Sequence, residues 1–137
     1  MALPILPVLL LLHQDPGQGM TKVNPAHLPD AVVARHVAAY NAHDLQGMLG
    51  TLSLDIQLWM FPDKLQVKGK ADVANAMRQS FASGPDQKME VTERMVAGTK
   101  VIDHLWIKGR GDGRVIRGVQ IYEVKDGLIT GIWFMLD

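Results

Sequence analysis

From Lys88 onward the spacing of apolar residues settles into a period of two, and that change limits the folds open to this chain. Upstream the spacing is mainly helical, interrupted by one hairpin. Val33, His36, Val37 and Tyr40 stand at i, i+3, i+4 and i+7, one face of a helix, with Asp30 suited to cap it and Pro29 just outside. Asn41-Ala-His-Asp44 breaks the pattern, and Asp44 caps a second helix with the stripe Leu45, Met48, Leu49 and Leu52. Asp55 to Phe61 is too short and too rich in large apolar residues for a surface helix. It predicts a strand ending at Pro62, with Leu65 to Lys68 returning as its hairpin partner. Gly69 to Ser83 predicts a third helix that turns Val73, Met77 and Phe81 inward and stops at Gly84-Pro85.

From Lys88 the period is two. Met89, Val91 and Met95 alternate with Glu90, Thr92 and Arg94, and Ala97-Gly-Thr-Lys100 turns the chain into Val101 to Lys108. A loop holding Gly109, Gly111, Asp112 and Gly113 leads into Arg114 to Lys125. Asp126-Gly127 signals a tight hairpin, because both central positions of a type I′ turn need positive φ; Leu128 to Leu136 is the last strand. Helices first and a long antiparallel meander last define the α+β class, with three N-terminal helices packed on one face of a curved sheet.

A chain of 137 residues suits one domain. Lys plus Arg number 14 and Asp plus Glu 14, so no surplus of cations is available to displace counterions from nucleic acid. With no cysteine, disulfides, thiolate metal sites and a cysteine nucleophile are excluded. Residues 1–19 are set apart as an N-terminal extension, and the domain is assigned to residues 20–137. The apolar run Ala2 to Leu12 is shorter than the about 20 residues that span a bilayer, so no stable membrane insertion is expected. It has the length of a secretory signal core, without a Lys or Arg before it; the other reading makes Met20 the true start. The expected location is cytoplasmic, or exported if residues 1–19 act as a signal.

Polar side chains on apolar faces single out the candidate site. His36 sits inside the first helix's apolar stripe, one turn before Tyr40. His104 shares a strand face with Ile102 and Trp106, while Asp103 shares the other with Val101 and Leu105; Gln120 alternates with Gly118 and Tyr122. Burying any of these unpaired costs about 1–3 kcal/mol, so each needs a partner, a water or a ligand. A lone buried histidine is most often simply hydrogen-bonded in the core. Two histidines, a tyrosine and a glutamine converging from three elements point to a polar-tipped pocket. No HxH or HExxH spacing occurs, so neither a metal nor another cofactor is expected. Gly109-Arg-Gly-Asp-Gly113 lacks phosphate-loop spacing and is read as a hairpin loop, with Arg110, Arg114 and Arg117 as a solvated strand edge. Trp59, Phe61, Trp133 and Phe134 are read mainly as core and dimer packing.

Several strings occur in an order that resembles one family. Val32-Val-Ala-Arg-His-Val-Ala-Ala-Tyr-Asn-Ala-His-Asp-Leu45, Gly69-Lys-Ala-Asp-Val73, Val101-Ile-Asp-His104, Ile121-Tyr-Glu-Val-Lys-Asp-Gly-Leu-Ile129 and Ile132-Trp-Phe134 resemble the SnoaL-like and ketosteroid-isomerase-like group of the nuclear-transport-factor-two-like superfamily. The resemblance covers roughly residues 28 to 136. It implies a cone, a cystatin-like α+β barrel in which a bent antiparallel sheet wraps three helices around an apolar pocket and dimerises through its outer face. Steroid isomerases of that family use a carboxylate base on the first strand, with a Tyr and a protonated Asp holding the enolate oxygen. Alignment by these strings puts the base on Met60, the Tyr on His36 and the Asp on Gln120. Met60 cannot take a proton, so that mechanism is not implied. The resemblance also turns Ile102, His104 and Trp106 toward the cavity and Asp103 away from it.

The expected site therefore has His36 and His104 facing each other, with Tyr40 and Gln120 as further polar groups. Its walls are Met60, Met77, Ile102, Trp106 and Tyr122. A histidine with pKa near 6.5 suits acid–base chemistry at neutral pH, and Tyr40 and Gln120 would polarise an oxygen. The functional expectation is a domain binding a small apolar molecule, with isomerase- or cyclase-type chemistry on the histidines; the alternative is a non-catalytic ligand-binding or dimerisation module. Its partner is expected to be a second copy, through the outer sheet face.

Overall fold

The computed structural model describes residues 23–137, so the expectations on residues 1–19 lie outside the described part. After a 3-10 turn at Pro25–His27 come α1 (Pro29–Asn41), α2 (Leu45–Leu49), β1 (Leu52–Met60), β2 (Lys64–Lys68) and α3 (Lys70–Ser83). The strands β3 (Lys88–Ala97), β4 (Lys100–Lys108), β5 (Ile116–Lys125) and β6 (Leu128–Leu136) complete the chain. Asp44 caps α2 as expected, accepting from the Gly47 N–H at 2.9 Å. The cap of α1 differs from expectation. Leu28 holds that position without a side-chain bond and Pro29 lies inside the first turn, where its missing N–H has no helical partner to lose. Leu52 begins β1 rather than extending α2.

The six strands form one sheet in the order β2-β1-β6-β5-β4-β3. All neighbours are antiparallel except β1 and β6, a parallel pair that a pure meander does not contain. It arises because the chain leaves β1 through a hairpin and α3 and returns four strands later to lie beside it. The core fills the concave side, where Val32 and Val33 of α1, Ile56 of β1, Val101 of β4 and Ile129 of β6 are fully buried.

Two features of β3 decide which side chains face that core. Asn41, the last residue of α1, pairs with the backbone of Met89 like a short strand: its Nδ2 donates to the Met89 carbonyl at 2.9 Å, and the Met89 N–H donates to its Oδ1 at 2.7 Å. This satisfies backbone groups on an edge strand that would otherwise be open. Further along, the register of β3 against β4 shifts between Val91 and Glu93. The extra residue inverts the expected alternation. Arg94 turns inward opposite Asp103, and Met95 turns out, 61% exposed.

The same face decision corrects β4. Val101, Asp103, Leu105 and Ile107 are buried inward, and Ile102, His104 and Trp106 occupy the outer face, half exposed. Both faces of this strand are largely apolar, so alternation alone could not say which is inside. The Arg94 guanidinium grips the fully buried Asp103 carboxylate through two bonds, Nε–Oδ1 at 2.7 Å and Nη2–Oδ2 at 2.8 Å. That ion pair makes an inward aspartate tolerable.

Candidate functional site

Between α1, α3 and the concave sheet face lies a cavity of about 180 Å³, walled mainly by apolar side chains including Met48, Leu52, Val73, Met77, Ile132 and Phe134. His36, Tyr40, Gln87 and Gln120 supply its buried polar groups. Helical spacing puts His36 and Tyr40 one turn apart on the buried face of α1. Gln87 arrives from the turn after α3, held by its backbone. The ring of His43 stacks on Phe81 at 4.3 Å, and its Nε2 lies 2.6 Å from the Gln87 carbonyl.

The hydrogen bonds fix what each polar group presents. Thr51 donates its single hydroxyl proton to the Met48 carbonyl at 2.7 Å, so the 2.9 Å contact between His36 Nδ1 and Thr51 Oγ1 requires Nδ1 to be the donor. Nε2 is then the ring's lone-pair nitrogen. Burial lowers the His36 pKa from 6.5 to about 4, partly opposed by the Met48 carbonyl, and the ring is neutral at pH 7. One helical turn from His36, Tyr40 ends a second chain: Ser80 donates to Gln87 Oε1 at 3.2 Å, and Gln87 Nε2 donates to the Tyr40 oxygen. Tyr40 therefore keeps its own proton to give. Burial raises its pKa, holding it as the phenol. Tyr122, behind the cavity with its ring edge-to-face to that of His36 and the ring centroids 6.0 Å apart, donates to Gln120 Oε1 at 2.7 Å, which leaves the Gln120 amide N–H groups as donors.

The structure brings together His36, Tyr40, Gln120 and Met77, with Tyr122 backing them. It separates the others. His104, expected to face His36, lies on the outer sheet face, bonded to Thr92 Oγ1 through Nδ1 at 2.9 Å. Ile102 shares that outer surface, and Trp106 stands there between the cations of Lys108 and Arg117, 5.1 and 5.2 Å from its ring. Met60 lines an adjoining chamber nearer the open end rather than the cavity. Asp103, expected to point away, points inward but is consumed by Arg94.

Gln87, Ser80 and Arg110 were not anticipated in the site. Arg110 belongs to the glycine-rich loop, and the glycines explain how it gets there. A Cβ on Gly109 would lie 2.3 Å from the Asp86 carbonyl oxygen, and one on Gly111 2.4 Å from that of Ser83. Only glycine lets this loop press its backbone onto the α3–β3 turn, which sets Arg110 at the cavity wall. Glycines on both sides of one arginine were the available signal. Among the described residues no group of three or more His, Asp or Glu side chains could hold a metal ion, and no helix is long and apolar enough to cross a membrane.

A bent sheet closed over three helices around a polar-tipped cavity defines the class of cone-shaped, cystatin-like α+β domains. The SnoaL-like domain profile matches residues 33–132, and the chain belongs to that family. No curated protein matches the chain in sequence. Among solved structures, a cystatin-fold protein of Novosphingobium aromaticivorans is similar at 19% identity and TM-score 0.70, over 75% of this chain and 93% of its own. The Delta 5-3-ketosteroid isomerase of a Mycobacterium species is 22% identical at TM-score 0.66, over 77% of this chain and 90% of its own. A computationally designed 17-OHP binder is 22% identical at TM-score 0.68, with the same two coverages, 77% and 90%.

Proposed function

We propose that the domain binds one small, mostly apolar molecule in this cavity, holding an acceptor oxygen with Tyr40 and Gln120 and a donor with His36 Nε2. The observation that carries this reading is the Ser80–Gln87–Tyr40 chain, which commits the tyrosine proton to an acceptor that none of the described residues provides. Each bond in such a chain polarises the next, so the last donor is the strongest. The likeness to a designed binder and to a steroid isomerase fits the same use of the cone. Histidine acid–base catalysis fits less well. His104 is on the other face, and a histidine whose basicity burial has lowered is a poor proton acceptor at neutral pH. We therefore favour binding without chemistry.

Calorimetric titration with hydroxytetralone, a neutral bicyclic hydroxyketone, tests this. Saturable binding is expected, and Tyr40→Phe should weaken it about tenfold, the value of one buried hydrogen bond. Absence of binding, or equal binding by Tyr40→Phe, would sink the reading; turnover that His36→Gln abolishes would restore the catalytic one.

The partner in this reading is a second copy on the outer face. Leu65, Trp59, Trp133, Ile121, Ile102 and Met95 are successive register partners, an apolar row crossing every strand. A row of that width facing water is the usual mark of an interface. Trp59 also carries a buried indole N–H without a hydrogen-bond partner among the described residues. Sedimentation should give a dimer at micromolar concentration, and Ile121→Glu should give a folded monomer. A wild-type monomer would remove this part of the proposal.

A further inference from the structure

The cavity continues into a second chamber of about 350 Å³ toward the open end of the cone. The two share Leu58, Ile107, Arg110 and Phe134 as walls, so they adjoin. The inner part alone is smaller than the ~300–1,000 Å³ common for ligand sites, whereas the two together fall within that range. Their chemistry differs in one respect. Among the described residues, the only charged ones lining the outer chamber are Arg110 and Arg114, and no carboxylate lines either chamber.

Asp112, outside both linings, organises this pair. Its carboxylate takes Arg110 Nε at 3.1 Å and Nη2 at 2.7 Å, and the backbone N–H of Arg114 at 3.0 Å. The bond pattern leaves Arg110 Nη1 with two N–H donors to give. Arg114 has no ion-pair partner among the described residues. Arg110 and Arg114 bring two positive charges and Asp112 one negative charge, so one positive charge is left over at the outer chamber. A neutral ligand would leave that charge without use.

We propose that the outer chamber is an anion site and that the ligand is an amphipathic organic acid, its apolar ring body in the inner cavity and its carboxylate between Arg110 and Arg114. A planar carboxylate matches a guanidinium geometrically, and charge-assisted bonds are the stronger kind. Asp112 holds Arg110 in place beforehand, so little side-chain freedom is lost on binding. This inference rests on the ligand-binding reading given under Proposed function and specifies the ligand class for it.

The test compares naphthalene carboxylate with naphthalene carboxamide, which has the same shape and no charge, by calorimetry at neutral pH. The carboxylate should bind about tenfold tighter at low salt, and part of that advantage should vanish in high salt as the mouth is screened. Arg110→Gln and Arg114→Gln should each bring the ratio of the two affinities toward one, with thermal melting of both variants as the check on folding. Arg114 makes no side-chain ion pair among the described residues, so its variant stands even if Arg110→Gln loosens the loop. Equal binding of acid and amide, or a ratio that survives both substitutions, overturns the anion site while leaving the cavity reading intact. If neither compound binds, the cavity reading falls and the anion site with it.

Discussion

Replacing Arg94 with methionine is expected to destabilise the domain by about 3 kcal/mol, the low end of the penalty for stranding one partner of a buried ion pair. Asp103 is fully buried, while the Arg94 side chain is 24% exposed and could be partly compensated by water, hence the low end. The cause is a fully buried carboxylate left without its two guanidinium bonds. The double substitution Arg94→Met with Asp103→Leu removes the charge as well as its partner. It should recover most of the loss, because a well-packed apolar pair often matches a buried ion pair in stability. Urea unfolding of the two variants measures this. Should the single variant unfold at the wild-type midpoint, Asp103 must find other partners and the pair is not what holds β3 and β4 in register.

Stability should also fall in acid because of His36. Its pKa is lowered from 6.5 in the unfolded chain to about 4 in the fold, by burial. Above pH 6.5 both states are neutral at this residue, so it adds no pH dependence. Between 6.5 and 4 the unfolded chain takes up the proton and the fold does not, so stability declines as pH drops through that window. Below about 4 both are protonated and the decline from this group ends. Its full size is roughly 3 kcal/mol. The difference in unfolding free energy between pH 7 and pH 4 should shrink by about that amount in His36→Gln. A pH profile that this substitution leaves unchanged would mean that His36 reaches solvent and is protonated in the fold. The same neutrality predicts that ligand affinity is flat from pH 6 upward.

The order of elements was legible because each depends on neighbours close in sequence. The α1 stripe, the Asp44 cap, the stop at Gly84-Pro85 and the Asp126-Gly127 turn, with φ of 50° and 78°, are local events of a few residues. The helical half of the site follows from the same kind of information. His36 and Tyr40 share a face because of the helical period, and that face is buried because the residues around it are apolar. Gln120 was found through its parity with Tyr122.

What tertiary structure alone decided was the sign of an alternation whose period the sequence already carried. On β4 the set Ile102, His104, Trp106 and the set Val101, Asp103, Leu105, Ile107 are both apolar apart from one polar residue each. Period two says only that they oppose each other. The choice is made by the neighbouring strand: a bulge at Thr92 turns Arg94 inward, the guanidinium neutralises Asp103, and His104 goes to the outer face. Arg110 is the same case in a loop. Its place at the cavity is set by backbone packing between Gly109–Gly111 and the turn at Ser83–Asp86, segments far apart in sequence. Sequence-local propensity fixes which residues share a face, but which face is inside depends on contacts made across the fold, and those are written in no single stretch of the chain.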